Sequence, residues 1–259
     1  MILRIIIILM FSIIYFYFKK IINKILNNQI KSEELAYRKY LFNELIEEFS
    51  ENCIKNKRIL EIGPRDGVDT KRFDQLNPDE IIMIDLPDKK EKNDLWVKDI
   101  KSKNTLITEN ILYMTSDNLK KLDKFDLIYC TGVLYHNAEQ LKLIKRLYTL
   151  LNVNGLLVIE SATVRNFLVR RLNVVQIWFP KTYRDTTTIT HLPSKKAIIS
   201  WLKMAGFEHI RVSDCFSPEN ANLKNIRFAS ISQKTSDDKI KTYYTKQLKE
   251  ASYVLGDSS

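Results

Sequence analysis

The chain has 259 residues, of which 45% are hydrophobic and 10% aromatic. This composition is that of a globular protein with a packed core, and it excludes a disordered chain or a small disulfide scaffold. Its three cysteines form no CxxC pair, and its three histidines form no i, i+4 pair. These spacings argue against a disulfide framework and predict no metal site.

Lysine and arginine number 41 against 31 acidic residues, which gives a formal net charge of +10. Such an excess suits an acidic partner, either a nucleic acid or the anionic leaflet of a membrane. The basic residues form no long run, however, so a general compositional bias explains the charge equally well. The charge alone does not choose a partner.

An apolar segment stands at the start of the sequence. Residues 5–18 read IIIILMFSIIYFYF without a charge, and a helix that continues to residue 26 approaches the ~20 residues that span a bilayer. Lys19 and Lys20 follow an aromatic cluster, as at a membrane interface, and with Lys24 they outweigh Arg4. We therefore predict a single-pass membrane anchor over residues 1–26, with the folded domain in the cytoplasm.

Two other interpretations of this segment exist. A cleaved signal peptide needs small residues at its cleavage site, whereas the sequence after Phe18 is KKIINKILNNQ. A run of this length is also compatible with a buried helix at the start of the fold.

A helical pattern lies between the anchor and the first strand, in a linker over residues 27–57. From Glu33 to Phe49, apolar residues recur at mostly helical spacing among charged ones. The pattern predicts an amphipathic helix packed on the domain.

Short apolar runs alternate with helical patterns from Arg58 onward, which is typical of a parallel sheet with helices on both faces. The predicted strands are Arg58–Ile62, Ile81–Asp85, Ile111–Thr115, Phe125–Cys130, Gly155–Glu160, His209–Ser213 and Ile226–Ser232. The last two have a short connection, as an antiparallel pair does. Residues 58–233 are thus predicted to form an α/β domain with a seven-stranded, mostly parallel sheet whose last strand is antiparallel.

A glycine-containing turn follows the first predicted strand. The sequence Glu61-Ile62-Gly63-Pro64-Arg65-Asp66-Gly67 leads into a helix, and glycines there let a ligand approach the backbone. The GxxxG spacing differs from the GxGxxG of dinucleotide sites, which disfavours a pyrophosphate cofactor. A glycine pair of this kind also occurs in plain turns.

Acidic residues follow the next two predicted strands. Asp85 ends the second strand, 22 residues after Gly63, where a carboxylate accepts hydrogen bonds from ribose hydroxyls. Asp117 and Asn118 follow the third predicted strand, where they suit an adenine amino group, although Asp117 also suits a helix cap. Ligands of open α/β sheets bind at this edge, so the three positions together predict a nucleoside site.

The block KFDLIYCTGVLYHNAEQLKLIKRLYTLLNVNGLLVIES, together with the turn and these acids, resembles the class I S-adenosylmethionine-dependent methyltransferases. The resemblance covers roughly Arg58 to Gln233, and it implies a Rossmann-like fold with S-adenosylmethionine as cofactor. It also implies binding roles for Glu61, Gly63 and Gly67 at the methionine and ribose end, Asp85 at the ribose hydroxyls, and Asp117 with Asn118 at the adenine. Arg65 stands where the common GxGxG loop has its middle glycine.

Two segments are similar to one branch of this superfamily, the tRNA wobble-uridine carboxymethyl- and methyltransferases. They are TGVLYH and YRDTTTITHLPSKKAIISWLKMAGFEHIRVSD. In place of that branch's long N-terminal RNA-side domain, this sequence has the membrane segment. The PS...WL...GF pattern within the second segment also occurs widely in uncharacterised relatives that resemble glycan, lipid or small-molecule methyltransferases.

Residues that could handle the methyl acceptor follow the fourth and fifth strands. His136 is the first candidate for a base or an orienting group and His191 the second, although His136 equally suits the start of a helix. An insert over residues 165–193 is longer than a plain crossover and predicts a lid. The candidate substrate-binding residues are Tyr135, Arg165, Trp178, Tyr183 and Arg184.

Three functions fit these patterns. The first is O-methylation of a glycan, a lipid-linked precursor or another small acceptor by a membrane-tethered enzyme. The second is tRNA methylation near the wobble position. The third is a non-catalytic scaffold that keeps the fold, while the polar tail over residues 234–259 has no assigned chemistry and suits a surface helix or membrane docking.

Overall fold

A computed structural model describes residues 37–182, 188–216 and 221–237. The predicted anchor over residues 1–26 lies outside these ranges, as do Tyr183, Arg184 and the polar tail after residue 237. Among the described residues, no helix has both the length and the apolar character needed to cross a bilayer.

Seven strands form one sheet in the order β3-β2-β1-β4-β5-β9-β8. Their bounds are β1 Arg58–Ile62, β2 Glu80–Asp85, β3 Asn104–Thr108, β4 Phe125–Thr131, β5 Leu151–Ala162, β8 His209–Val212 and β9 Arg227–Gln233. Pairs within β1–β5 are parallel, whereas β9 runs antiparallel to both β5 and β8. The predicted seven-stranded, mostly parallel sheet with an antiparallel last strand is confirmed.

Helices cover both faces of this sheet. They are α1 (residues 37–49), α2 (Val68–Asp74), α3 (Lys90–Val97), α4 (Ser116–Lys121), α5 (Gln140–Leu150), α6 (Lys195–Ala205) and α7 (Ala221–Lys224). Ile59 and Leu60, neighbours in β1, are both fully buried but belong to hydrophobic clusters on opposite faces. Both faces are therefore core, which explains why the strands read as continuous apolar runs.

Helix α1 packs on the domain as its amphipathic pattern predicts. Tyr37, Leu41 and Leu45 are buried in the cluster that also contains Ile59 and Phe73. The described part of the predicted helix therefore supplies one wall of the core.

The predicted third strand, Ile111–Thr115, is wrong. The edge strand β3 is Asn104–Thr108, whereas Ile111, Leu112 and Met114 enter the core from a turn. The Arg146 guanidinium donates to the carbonyls of Ile111 and Met114. A side chain thus satisfies the backbone groups that a neighbouring strand would otherwise pair with.

The predicted insert contains a second, two-stranded sheet. Strand β6 (Val175–Trp178) pairs antiparallel with β7 (Thr190–Pro193). Val164, just after β5, donates its N–H to the Pro193 carbonyl at 3.0 Å. The insert is thereby attached to the carboxyl edge of the main sheet.

Candidate active site

The strand order reverses between β1 and β4, since β2 lies on one side of this pair and β5 on the other. Ligands of open α/β sheets bind in the crevice outside such a switch point. Gly63 follows β1, Asp85 ends β2 and Gly132 follows β4, so all three lie at that crevice. The topology thus brings together residues that are far apart in the sequence.

The turn after β1 is held in a conformation that needs glycine. Gly63 and Gly67 have φ values of 70° and 71°, and a Cβ on Gly63 would lie 2.6 Å from Cγ2 of Val133. Arg65 also has a positive φ, 60°, so the arginine at the middle position adopts the left-handed conformation. The loop therefore keeps its tight path despite that departure.

Helix α1 braces this loop from outside. The Arg38 guanidinium lies 3.0 Å from the Asp66 carboxylate and 2.7 Å from that of Asp69. Arg72 binds the other Asp69 oxygen at 2.5 Å, and Asp69 is fully buried. Burial would raise the pKa of Asp66, but the Arg38 charge outweighs it and the pKa is lowered. The loop is thus fixed by charge before any ligand binds.

Glu61 lies beneath the loop and is only 2% exposed. Its carboxylate accepts a 2.5 Å hydrogen bond from the Thr70 hydroxyl, which ties β1 to α2. Burial, followed by the nearby Asp69 carboxylate, raises the pKa of Glu61 to about 8. Its contact with the methionine end of a cofactor stays a prediction.

Asp85 presents a carboxylate at the end of β2. One oxygen accepts the Leu86 N–H at 2.9 Å, and the other accepts the Asn93 side-chain N–H at 2.8 Å. Each oxygen keeps lone pairs for further donors, such as two ribose hydroxyls. Asp85 and the glycine turn therefore fit S-adenosylmethionine, while the predicted contacts of Asp85 with the ribose and of the loop with the methionine end stay predictions.

Asp117 and Asn118 do not directly follow β3, because the third strand lies earlier in the chain than predicted. They lie in the first turn of α4, where the Thr115 hydroxyl caps the helix by accepting the Asn118 N–H at 3.2 Å. The Asp117 side chain is 85% exposed and faces Lys120 at 3.9 Å. Glu109 and Asn110 are the residues that directly follow β3. The position of Asp117 after a strand therefore no longer supports its predicted contact with the adenine.

Tyr135 and His136 lie on a helical turn, Leu134–His136, just beyond β4. Their ring centroids are 4.1 Å apart. Partial desolvation, then the positive charges of Arg227 and Lys89, lower the pKa of His136, although its ring keeps surface exposed to solvent. The imidazole is therefore neutral at pH 7 and able to accept a proton.

Gln140 joins this turn to the insert. Its buried side-chain N–H₂ donates to the Leu134 carbonyl at 3.1 Å and to the His191 carbonyl at 2.7 Å. The Nδ1 atom of His191 is buried without a hydrogen-bond partner within the described ranges. The two predicted histidines thus belong to segments that one amide holds at the same edge.

Residues of the insert pack beside the turn that carries Tyr135 and His136. Tyr135 and Trp178 both pack on a small cluster of Ala162, Val164 and Leu192. We call Tyr135, His136, Trp178 and His191 the acceptor wall. Arg165, also predicted to bind substrate, is an exposed residue directly after Val164.

A buried polar group under the acceptor wall has no counterpart among the predicted residues. Arg227 binds Glu160 at 2.5 Å, while the Tyr37 hydroxyl and the Gly132 N–H donate to Glu160 at 3.2 and 3.0 Å. The Glu160 carboxylate outweighs burial and raises the pKa of Arg227, whose guanidinium lies 5.9 Å from the Tyr135 ring centroid. The sequence signal was a charged residue within each of two apolar strands.

Comparison with known proteins agrees with this geometry. A family model described as a methyltransferase domain matches residues 35–212. A tRNA U34 carboxymethyltransferase of Campylobacter jejuni subsp. jejuni is 29% identical over 161 residues, which cover 62% of this chain and 53% of that protein. One of Helicobacter pylori is 24% identical over 195 residues, 75% of this chain and 72% of that protein. The chain thus spans about half the length of the first of these curated relatives.

Solved structures share the fold. The N-terminal domain of EvdMO1, solved in the presence of SAH and D-fucose, superposes with a TM-score of 0.55 at 15% identity, covering 71% of this chain and 78% of that one. The Burkholderia thailandensis 1,6-didemethyltoxoflavin-N1-methyltransferase gives a TM-score of 0.57 at 14% identity, with coverage of 81% and 83%. With the family match, the switch-point crevice and the loop that fits S-adenosylmethionine, these results show that the chain belongs to the methyltransferase domain family and is a class I, S-adenosylmethionine-dependent methyltransferase.

Proposed function

We propose that this enzyme methylates an oxygen of a small acceptor, such as a glycan or a lipid-linked molecule, and that residues 1–26 tether it to a membrane. The observation that carries the proposal is the acceptor wall, which the chain builds from its own insert beside the switch point. A wall of this kind suits a compact acceptor enclosed away from water.

The chemistry required of the protein is modest. S-adenosylmethionine supplies an electrophilic methyl group on a sulfonium, so the chain mainly has to align the acceptor and exclude water. Neutral His136, which follows β4 beside the crevice, would take the proton of an acceptor hydroxyl. Tyr135 and Trp178 provide flat apolar surface against which a sugar ring or another small ring can lie.

Modification of a tRNA uridine is the second candidate, and one observation favours it. The curated relatives from Campylobacter jejuni and Helicobacter pylori carry the name tRNA U34 carboxymethyltransferase. The net charge of +10 is compatible with RNA. The matched part is about half of the Campylobacter protein, however, so the name alone does not transfer the substrate to this chain.

Cofactor binding is tested first, with the full chain in a non-ionic detergent. Asp85→Asn keeps the size of the side chain but removes a charged acceptor, which costs roughly 1.5–3 kcal/mol, or a 10- to 150-fold loss of affinity for S-adenosylhomocysteine by calorimetry. Asp88→Asn is the matched control, since Asp88 is exposed and its carboxylate binds Lys89, the next residue in the chain. Equal affinity in both variants would contradict the assigned ribose site.

Methyl transfer is tested next, with labelled S-adenosylmethionine and two acceptor pools, a membrane extract and total tRNA. Label in lipid or glycan that depends on Asp85 supports the proposal. Label that ribonuclease releases and that the membrane extract does not receive would select the tRNA candidate instead.

A further inference from the structure

A cavity of about 200 Å³ opens beyond β5, next to the acceptor wall. Three of its residues carry positive charge and none carries negative charge; the lining consists of Thr163, Val164, Arg170, Arg171, Lys195 and Asn225. We call this cavity the cation pocket.

The cations of the pocket have no acidic partner within the described ranges. No carboxylate in the described part of the chain forms an ion pair with Arg170, Arg171 or Lys195. Arg170 donates to the Asn225 side-chain oxygen at 2.8 Å, and Lys195 donates to the Lys224 carbonyl. Both partners are neutral, so among the described residues no counter-charge is bound to the three cations, and an anion could pair with them.

Two further observations point to an anion. Thr163 is only 1% exposed, and its hydroxyl oxygen has no hydrogen-bond partner among the described residues, so it offers a buried donor at the pocket. Lys195 is the first residue of α6, an 11-residue helix, so the positive end of the helix dipole adds to the pocket. Burial, then the charges of Arg170 and Lys224, lower the pKa of Lys195, which a bound anion would counter.

The position of the pocket relates it to the acceptor. Val164 lines the pocket and also belongs to the cluster on which Tyr135 and Trp178 pack. Thr163 follows β5, which is the direct neighbour of β4, and His136 follows β4. Since adjacent strands lie about 4.8 Å apart, the pocket and the His136 turn extend from neighbouring strand ends at one edge of the sheet.

Resting on the proposed function, we infer that the cation pocket binds a phosphoryl group of the methyl acceptor. The substrates are then small phosphorylated molecules that reach from the acceptor wall to the cation pocket. The cofactor loop, the acceptor wall and the cation pocket follow one another along the same sheet edge, in the order β1, β4, β5 and β9.

The test uses the full chain in detergent and inorganic phosphate as the probe. Phosphate is titrated calorimetrically at constant ionic strength set with chloride, and millimolar affinity is expected. Lys195→Gln and Arg171→Gln should each weaken binding at least tenfold. Lys196→Gln is the matched control, because it removes the same charge from the next residue, which is exposed and does not line the pocket; its affinity should stay within twofold.

S-adenosylhomocysteine binding is measured on the same four proteins. Unchanged cofactor affinity with lost phosphate binding supports the inference, and it also shows that each variant is folded. Cofactor binding without any phosphate binding by the parent overturns the pocket but leaves the proposed function standing. Absence of cofactor binding would instead remove the proposed function, whatever phosphate does.

The source of the phosphoryl group is tested with a hexose phosphate and a single-stranded oligouridylate. Tighter binding of the hexose phosphate than of inorganic phosphate, lost in Lys195→Gln, supports a small acceptor. Preferential binding of the oligouridylate, weakened by the same variant, would overturn the small-acceptor inference, because the pocket would then bind an RNA backbone.

Discussion

At the scale of single residues, His136 is the side chain whose assigned chemistry depends most on its environment. Its pKa is lowered from the usual 6.5 by partial desolvation and by the charges of Arg227 and Lys89. A group with a lowered pKa loses its proton earlier as pH rises, so His136 is a competent base throughout the range above pH 6.5. Activity that depends on neutral His136 should therefore fall only below that pH.

His136→Gln tests this role. We expect kcat/KM to fall by about 10²–10⁴-fold and its acidic limb, the decrease at low pH, to disappear, since glutamine does not titrate. The measurement is a pH profile from 5 to 8.5 with an acceptor identified in the transfer assay. His209→Gln is the control because His209 is exposed on β8, at the edge of the sheet away from the crevice. An unchanged pH profile in His136→Gln would show that His136 has only a structural role in its turn.

At the scale of elements, the loop after β1 depends on close packing against α3. A Cβ on Gly67 would lie 2.3 Å from the buried Trp96 ring, whereas a Cβ on Gly132 would meet nothing within 4 Å. The two glycines have nearly the same φ, 71° and 73°. Alanine at either position would therefore suffer similar backbone strain, but only alanine at Gly67 would also clash with a neighbouring side chain.

Gly67→Ala should therefore be the more destabilising change. Both alanines incur the cost of a left-handed conformation, on the order of 1–2 kcal/mol, and only Gly67→Ala adds overpacking of about 1–3 kcal/mol. Urea unfolding of the two variants measures the difference. Equal free energies of unfolding would show that Trp96 moves away without cost.

Helix α1 makes a second contribution at this scale, through the Arg38 contacts to Asp66 and buried Asp69. Arg38→Gln should lower the free energy of unfolding by about 3 kcal/mol, the low end for breaking a buried ion pair, because Arg72 still binds Asp69. Lys39→Gln, an exposed change on the same helix, should have an effect within 0.5 kcal/mol in the same unfolding assay. Similar losses in both variants would contradict a specific brace.

The elements also show which patterns in the sequence were informative. The strands β1, β2, β4 and β5 were predicted because each is an apolar run buried on both faces. The third strand was misplaced because Ile111–Thr115 has the composition of a strand. Its apolar side chains are buried from a turn instead, and Arg146 donates hydrogen bonds to two backbone carbonyls of that turn. The four-residue strands β6 and β7 were not predicted, since β6 alternates only between exposed and partly buried positions.

The candidate site divides in the same way. Gly63, Asp85 and His136 were predicted as site residues because each follows or ends a predicted strand, and the structure brings them to one edge of the sheet. The Glu160 contacts to Arg227 and Tyr37 join residues 67 and 123 positions apart, and no local pattern encodes such pairs. Tertiary structure, rather than propensity, decides these partners.

At the scale of the whole molecule, the predicted anchor would restrict which acceptors the enzyme meets. Residues 5–18 contain no charge, and Lys19 and Lys20 follow them directly. An enzyme held at the cytoplasmic face would encounter phosphorylated lipid-linked acceptors at high local concentration. Tethering and the cation pocket would then select the same class of substrate by separate means.

Two lysines placed within the apolar run test the anchor in the full chain. Ile8→Lys with Ile13→Lys should add roughly 5–7 kcal/mol to the cost of insertion, at ~2.5–3.5 kcal/mol for each charge near the helix centre. The parent should remain with the membrane fraction after carbonate extraction, whereas the double variant should be released. Asn27→Lys with Asn28→Lys adds the same charge beyond the apolar run and should stay bound. Release of the parent would contradict the proposed tether. Retention of the Ile8 and Ile13 variant would mean that another part of the chain binds the membrane. In either case the cofactor site argued from Gly63 and Asp85 would be unaffected.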